Sequence, residues 1–289
     1  MQITKIGVVG AGTMGQGIAE MLAAKGIDVL LLEHTPEQLE HAIRNIELSL
    51  LKQLEKWAIT DAEKRLTLSK IHKTITFEQL ASCDLIIETV TEDLEIKKEV
   101  FAKLGVACPD AILASNTSTL SLTELAGAAK QPERVIGLHF TYPAGRSPLV
   151  EIVRGLKTSN ETYETVRRFV ESHIQRTAIM VYESPGFVTT RLICTLINEA
   201  MHTLSEGVAS AEDIDKAMKV GYHFKYGPLE LADRFGLDSV LAAMERMFRE
   251  YGDLKYRPSF MLKQMVRAGH LGVKSGEGFF HYDEDGDRL

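Results

Sequence analysis

Short apolar runs alternate with stretches of helical periodicity over the first two-thirds of the chain. Each run is continuously apolar, which is typical of strands that are covered on both faces in a mainly parallel sheet. The pattern therefore predicts an α/β fold with a doubly wound sheet. The predicted strands are residues 6–9, 29–32, 84–88, 111–114, 135–140, 149–153 and 177–181.

Two departures from this alternation predict the domain organisation. Residues 36–70 combine many charges with apolar positions at helical spacing, which predicts a helical pair inserted into the sheet domain. After Ser184 a Pro-Gly pair interrupts the chain, and helical periodicity then dominates. We therefore predict a sheet domain over 1–184 and an all-helical domain over 185–289. The helices predicted in the second domain are 187–204, 211–220, 229–250 and 259–268.

The first predicted strand leads into a glycine-rich turn, and a helical stretch follows directly. The turn is Gly10-Ala11-Gly12-Thr13-Met14-Gly15. In a Rossmann-type domain the first glycine permits the tight turn, the second lets the backbone approach a pyrophosphate, and the third lets the helix pack on the strand. Glu33 ends the second strand, where a carboxylate meets ribose hydroxyls and repels a 2′-phosphate. The sequence therefore predicts NAD as cofactor.

Composition narrows the choice of partners and location. The net charge of −7 provides no broad basic field, so we expect no nucleic-acid partner. No apolar stretch reaches the ~20 residues of a membrane span, and residues 1–5 show no signal-peptide pattern. The three cysteines have unrelated spacings, which fits a reducing compartment and indicates no metal site. We therefore expect a cytoplasmic protein with no membrane partner.

Polar side chains near the predicted strand ends are the candidates for chemistry, because open α/β sheets bind ligands beyond the carboxyl ends of their strands. Ser118 lies in a small polar cluster after one strand, His139 lies near the end of the next, and Glu151 lies in the one after. A histidine within reach of a carboxylate is a general acid–base arrangement. Spacing alone leaves open that His139 is structural, that Glu151 is an edge charge, and that Ser118 caps the following helix.

Further motifs extend over nearly the whole chain. In order they are GAGTMGQGIA, ASNTSTLSLTELA, VIGLHF, LVEIVRG, SPGF, INEA, EDIDKAMK, GPLELAD, KYRP and KSGEGFF. This set resembles the short-chain L-3-hydroxyacyl-CoA dehydrogenases, particularly the bacterial 3-hydroxybutyryl-CoA type. The resemblance implies a Rossmann domain followed by a helical substrate and dimerisation domain, with an acyl-CoA substrate bound between them in a homodimer. It also implies reversible, NAD-dependent oxidation of an (S)-3-hydroxyacyl-CoA to the 3-ketoacyl-CoA.

The resemblance also implies roles for individual positions. His139 matches the catalytic histidine, Glu151 its orienting carboxylate, and Ser118 a serine that binds the substrate oxygen. The positions that match cofactor contacts are Gly10, Gly12, Thr13, Met14, Gly15, Glu33, Glu92, Lys97 and Lys274. The positions that match contacts to CoA are Ser49, Lys52 and Lys56. Lys52 and Lys56 are four residues apart, so they share one helix face, which without the resemblance would indicate an ordinary solvated surface.

The sequence departs from the family pattern around the expected acyl pocket. Tyr142 and Thr190 each replace an asparagine, and Thr190 takes the place of an active-site amide. A threonine hydroxyl offers one donor where an asparagine offers two. Arg146, Lys225 and Tyr226 add polar groups to the same region. These changes indicate altered substrate geometry.

Three functional hypotheses follow from the sequence. The first is a working NAD-dependent 3-hydroxyacyl-CoA dehydrogenase. The second is a related dehydrogenase that acts on a free or polar hydroxy acid, in which Lys52 and Lys56 contribute nothing to affinity. The third is a non-catalytic protein that binds NAD or acyl-CoA. The presence of His139 and Glu151 argues against the third, because a pure binding protein gains little from an acid–base pair.

Overall fold

A computed structural model describes residues 3–145 and 147–289, so the expectation for Arg146 lies outside the described residues. The chain divides after Ser184 into two compact units. Each unit has its own hydrophobic core. All three cysteines are buried within these units, and burial raises the pKa of Cys83 and of Cys194 to about 12. Both thiols are therefore protonated near neutral pH and unsuited to nucleophilic chemistry.

The N-terminal unit is built on one eight-stranded sheet. Its strands are β1 (Lys5–Val9), β2 (Asp28–Leu32), β3 (Ile71–Thr74), β4 (Leu85–Glu88), β5 (Ile112–Ser115), β6 (Val135–Phe140), β7 (Leu149–Arg154) and β8 (Thr177–Tyr182). Their order across the sheet is β3-β2-β1-β4-β5-β6-β7-β8. All neighbours pair in parallel except β6 and β7, which are antiparallel. The predicted doubly wound α/β fold is confirmed.

Strand β3 is missed by the hydrophobic pattern. Its residues Ile-His-Lys-Thr include two exposed polar side chains, His72 and Lys73, so it lacks the continuous apolar run of its neighbours. It lies at the edge of the sheet and pairs only with β2. An edge strand is covered less than a central one, and polar residues are therefore tolerated there.

Helices cover the sheet and form the predicted insertion. They are α1 (Thr13–Ala24), α2 (Pro36–Glu55), α3 (Asp61–Ser69), α4 (Leu94–Ala107), α5 (Leu122–Ala128) and α6 (Asn160–Arg168). Helices α2 and α3 are the helical pair expected over 36–70. Thr35 caps α2 ahead of a proline at its first position, and α3 begins with a capping box between Thr60 and Glu63. Local sequence therefore sets where both helices begin.

The C-terminal unit is helical. Its helices are α7 (Thr189–Ser205), α8 (Ala211–Tyr222), α9 (Pro228–Phe235), α10 (Leu237–Tyr251) and α11 (Phe260–Ala268). The prediction of one helix over 229–250 is wrong, because Gly236 separates α9 from α10 with a φ of +90°. A helix cannot continue through that backbone conformation. Across residues 3–145 and 147–289, no helix has both the length and the hydropathy that a membrane span requires.

Candidate active site

The antiparallel pairing of β6 and β7 places His139 directly opposite Glu151. Side chains at opposite positions of an antiparallel pair project from the same face and lie close together. His139 Nδ1 lies 2.6 Å from Glu151 Oε2, and the two residues are 7% and 0% exposed. Since an ionised carboxylate only accepts hydrogen bonds, Nδ1 is the donor. The structure therefore joins the predicted histidine and carboxylate in a buried pair.

The short connection between these two strands explains why they pair in antiparallel. Residues 141–148 are too few for a parallel crossover, which needs about a dozen residues or more. The strands must therefore form a hairpin, and loop length already carried that signal in the sequence. Arg176 fastens the connection, because its guanidinium donates 2.7 Å hydrogen bonds to the carbonyl oxygens of Gly145 and Ser147.

The glycine turn after β1 has the shape that a dinucleotide pyrophosphate requires. A Cβ atom on Gly15 would lie 1.9 Å from the Gly10 carbonyl oxygen, so only glycine fits there. A Cβ on Gly12 would meet nothing within 4 Å, so the space in front of the turn is open. Gly12 precedes α1 and provides no side-chain cap, while Thr13 and Met14 form the first turn of the helix. This exposed helix N-terminus can hold an anion with its N–H groups and dipole.

Glu33 lies beside that turn at the carboxyl end of β2. Its Oε2 accepts a 2.7 Å hydrogen bond from the Ala11 backbone N–H, and its Oε1 accepts one of 2.7 Å from His34 N–H. A carboxylate has about four lone-pair positions, so both oxygens can accept further hydrogen bonds from ribose hydroxyls. The turn and Glu33 together fit an NAD cofactor without a 2′-phosphate.

Ser118 lies in the turn between β5 and α5, and Glu92 holds the backbone of that turn. Glu92 Oε1 accepts hydrogen bonds from Ser118 N–H at 3.1 Å and from the Thr119 hydroxyl at 3.3 Å. The interpretation of Ser118 as a helix cap is wrong, because the cap of α5 is Ser121, whose hydroxyl accepts from Glu124 N–H at 3.2 Å. The Ser118 side chain is therefore not engaged in capping a helix.

Lys97, predicted as a cofactor contact, is 1% exposed in α4. Its Nζ lies 2.6 Å from Glu88 Oε1 and 3.4 Å from Glu92 Oε2. Burial raises the pKa of Glu88, and the ammonium of Lys97 opposes that rise. The amine of Lys97 therefore faces two carboxylates, and its direct contact with the cofactor stays a prediction.

Glu88 is the residue at this site that sequence reasoning missed. It ends β4 and is 0% exposed, yet the apolar run before it resembles any other buried strand. A usable signal was present, because Glu33 directly follows β2 and Glu88 ends β4, both at the edge of the sheet where ligands bind.

The residues predicted to contact CoA lie on the helical insertion. Ser49 and Lys52 are in α2, and Lys56 follows its last residue. At spacings of three and four residues, the three side chains share one face of the helix. Lys52 and Lys56 are exposed. A shared, exposed cationic face is able to bind phosphate, and the contact with CoA stays a prediction.

Two further predicted residues lie in the C-terminal unit. Thr190 is half-buried in the first turn of α7. Lys274 lies in a short 3₁₀ turn, Val273–Ser275, and its Nζ forms an ion pair with Asp238 at the start of α10. Lys225 and Tyr226 pack against each other, with the ammonium 5.2 Å from the ring centroid. Their roles toward cofactor or substrate stay predictions.

Comparisons with known proteins match both units of the chain to one family. Residues 5–184 match the sequence model of the 3-hydroxyacyl-CoA dehydrogenase NAD-binding domain, and residues 186–282 match that of the C-terminal domain. A probable 3-hydroxybutyryl-CoA dehydrogenase of Deinococcus radiodurans is 44% identical over 279 residues, which cover 96% of this chain and 100% of that protein.

Solved structures extend the likeness to three dimensions. FadB2 of M. tuberculosis superposes with a TM-score of 0.96 at 37% identity, covering 98% of this chain and 100% of that one. (S)-3-hydroxybutyryl-CoA dehydrogenase from Ralstonia eutropha superposes with a TM-score of 0.90 at 38% identity, again covering 98% and 100%. The chain therefore belongs to the 3-hydroxyacyl-CoA dehydrogenase family and is an NAD-dependent oxidoreductase.

Proposed function

We propose that this protein interconverts (S)-3-hydroxyacyl-CoA and 3-ketoacyl-CoA, with 3-hydroxybutyryl-CoA as a substrate and His139 as the acid–base group. The observation that carries the proposal is the buried pair of His139 Nδ1 and Glu151 Oε2, 2.6 Å apart. The names of the relatives in Deinococcus and Ralstonia support the substrate class.

The pair performs the proton transfer as follows. Glu151 accepts a hydrogen bond from Nδ1–H of His139, which fixes the tautomer and assigns the proton exchange with substrate to Nε2. In the oxidation, Nε2 takes the proton of the substrate 3-hydroxyl while the C3–H bond breaks and the ketone forms. NAD held at the glycine turn would supply the acceptor for the hydride that leaves C3. Glu151 stabilises the resulting imidazolium, which returns the proton in the reverse reaction.

Ser118 and Thr190 are proposed to hold the substrate. A hydroxyl that donates to the 3-oxygen stabilises the charge that develops there as the proton is transferred. Thr190 can donate one such hydrogen bond in place of an amide. Replacing Thr190 by Val should therefore lower kcat at least about tenfold, whereas T190S should keep most of it. Equal rates for the two variants would remove Thr190 from the proposal.

The cofactor is proposed to lie along the carboxyl edge of the sheet. Gly10, Gly12 and Gly15, with Thr13 and Met14 at the start of α1, would hold the pyrophosphate, because the turn is open and the helix N-terminus is uncapped. Glu33 would accept hydrogen bonds from the adenosine ribose. Further proposed contacts are Glu92, Lys97 and Lys274.

The CoA moiety is proposed to contact Ser49, Lys52 and Lys56, whose shared face suits a nucleotide phosphate. The double variant K52A/K56A should raise KM for acetoacetyl-CoA about tenfold or more while kcat changes little. Lys157→Ala, at an exposed loop lysine, is the matched control and should leave KM unchanged. Unchanged KM in the double variant would instead support a free hydroxy acid as substrate.

We also propose that the protein is a cytoplasmic homodimer joined through the C-terminal unit. The support is a set of exposed apolar side chains in that unit and the absence of disulfides among the three cysteines. The exposed side chains include Leu192, Val208, Val220 and Tyr222. Light scattering of the purified protein gives the assembly directly, and a monomer would contradict this part of the proposal.

The central experiment follows NADH absorbance after addition of acetoacetyl-CoA. The wild-type protein should oxidise NADH, the H139A protein should not, and free acetoacetate should not replace the CoA ester. Turnover of free acetoacetate would favour a dehydrogenase of free hydroxy acids. Binding of NADH without any turnover would favour the non-catalytic hypothesis.

A further inference from the structure

Five residues form a closed ring of polar contacts beneath the Ser118 turn. Glu88 Oε1 contacts Lys97 Nζ at 2.6 Å, and Lys97 Nζ contacts Glu92 Oε2 at 3.4 Å. Glu92 Oε1 accepts from the Thr117 hydroxyl, and Thr117 N–H donates to Ser115 Oγ at 3.2 Å. Ser115 Oγ donates to Glu88 Oε2 at 2.7 Å, which closes the ring. We call these residues the Glu88 ring.

Most of the ring is inaccessible to solvent. Glu88 and Ser115 are 0% exposed, and Thr117 is also buried. Only Glu92 reaches the surface, with 38% of its side chain exposed. Glu88 also holds the backbone that follows β4, because its Oε1 accepts a 2.7 Å hydrogen bond from Val90 N–H. The ring therefore joins the carboxyl ends of β4 and β5 and presents one carboxylate outward.

Stability alone is a weak reason for such a ring. Two buried charges lose their hydration, and a well-packed apolar pair of the same volume is often as stable or more stable. The ring instead fixes the positions of its side chains. Each carboxylate oxygen of Glu88 accepts a hydrogen bond, one from Lys97 Nζ and one from Ser115 Oγ. The ring also lies at the edge of the sheet where ligands bind in open α/β folds.

We propose that Glu88 is a positioning residue for both substrates of the enzyme. Through Ser115 and Thr117 it fixes the turn that carries Ser118. Through Lys97 it fixes Glu92, which in turn accepts a hydrogen bond from Ser118 N–H. The inference rests on the proposed function for the roles of Ser118 and Glu92, but the positioning itself is a property of the chain without ligands.

Two substitutions break the ring at different points. Glu88→Gln keeps the size of the side chain but removes the charge that pairs with Lys97. With the amide oxygen facing Lys97, the NH₂ group faces Ser115 Oγ and cannot accept its hydrogen bond. Ser115→Ala removes the atom that links Glu88 to Thr117 N–H and leaves the ion pair with Lys97 in place. If E88Q fails to fold, S115A alone tests the proposal, since it removes one small oxygen.

The matched controls make the same chemical change elsewhere. Asp215 is a buried carboxylate that accepts from Leu229 N–H and Glu230 N–H, so D215N is the control for E88Q. Thr158 is a buried hydroxyl that donates to the Val135 carbonyl at 2.7 Å, so T158V is the control for S115A. Neither control residue contacts the Ser118 turn in the described hydrogen bonds.

The first measurement is amide hydrogen exchange of the ligand-free protein. In E88Q and S115A, the amides of residues 117–120 should exchange roughly tenfold faster than in the wild type, because their acceptors are no longer held. D215N and T158V should lower the melting temperature without changing exchange in that segment. Because no ligand is present, this result does not depend on the reaction.

The second measurement is ligand binding and turnover. E88Q and S115A should each weaken NADH binding about tenfold in a fluorescence titration and raise KM for acetoacetyl-CoA by a similar factor. The pH dependence of kcat should stay that of the wild type, since His139 and Glu151 are unchanged. A purely structural role would lower the melting temperature and leave these constants alone.

The outcomes separate the two proposals. Wild-type exchange at residues 117–120 together with wild-type NADH affinity in both variants would overturn the positioning role. If the wild-type protein fails to reduce acetoacetyl-CoA, the proposed function is wrong, and the exchange and NADH titration still decide the role of Glu88.

Discussion

Two buried carboxylates at strands of the sheet each pair with a nitrogen group, and the two nitrogen groups differ. On β6 and β7, Glu151 faces the imidazole of His139, and at the end of β4, Glu88 faces the ammonium of Lys97. An imidazole gains and loses a proton near neutral pH, whereas an ammonium in an ion pair keeps its charge. This difference fits the two proposals, in which the first pair moves a proton and the second holds a fixed geometry.

The largest expected effect is on the first pair. Replacing His139 by Ala should lower kcat roughly a thousandfold, because general acid–base catalysis contributes about a hundredfold to ten-thousandfold. NADH affinity should stay within about twofold, since none of the proposed cofactor residues lies on β6 or β7. Steady-state rates and an NADH titration check both parts. A loss of less than about tenfold would break the distinction between the pairs.

Removing the ammonium of Lys97 from the second pair should lower the free energy of unfolding. Lys97→Met leaves the Glu88 charge buried without its ammonium, which costs about 3–5 kcal/mol in free energy of unfolding. Lys157→Met, at an exposed lysine, should change it by less than about 0.5 kcal/mol. Chemical denaturation measures both. If K97M is as stable as the wild type, Glu88 is not held by charge pairing.

A third buried carboxylate sharpens the comparison because its donors are neutral. Asp233 accepts from Phe279 N–H at 2.9 Å, Phe280 N–H at 3.0 Å and the Tyr282 hydroxyl at 3.0 Å. Burial raises its pKa from 3.8 to about 6. The folded state therefore binds this proton more tightly than the unfolded chain does. Its stabilising contribution is complete below pH 3.8 and is lost as the pH rises through about 6.

The effect of Asp233 on the free energy of unfolding is on the order of 3 kcal/mol across that window. Asp233→Asn removes the titration, so the variant should lose less stability than the wild type between pH 4 and 7. Denaturation at several pH values gives the two slopes. Parallel slopes would show that the carboxylate titrates no differently in the folded and unfolded states.

The smallest expected effect comes from the carboxylate of the first pair. Glu151→Gln keeps a hydrogen-bond acceptor for Nδ1 but removes the charge that stabilises the imidazolium. We expect kcat to fall about tenfold to a hundredfold, less than for H139A. Steady-state rates of E151Q and H139A measure the difference. A kcat equal to that of the wild type would show that the charge of Glu151 contributes nothing beyond orienting the ring.

Local patterns predicted most of the fold because they depend on neighbouring residues. Seven of the eight strands follow from apolar runs, and the helical pair follows from the helical spacing of its apolar residues. The failures have physical reasons. Strand β3 is polar because it lies at the edge of the sheet, and Gly236 breaks a continuous apolar period through its backbone conformation.

The candidate site was predictable only in part. The glycine turn and Glu33 form one local unit, so sequence spacing alone indicated cofactor binding. The role of Glu88 depends on contacts with residues that are 9 and 27 positions away. Its position at the carboxyl end of a strand is a local signal, but that position does not reveal these partners.

The sequence by itself determined the classes of element, the cofactor turn and the residue types available for chemistry, since each depends on local geometry and composition. The tertiary structure decided which of those residues meet. Strand register set His139 opposite Glu151, and the adjacency of β4 and β5 allowed Glu88, Lys97 and Ser115 to join. These contacts depend on strand pairing, in which a shift of one residue would turn the side chains to opposite faces of the sheet.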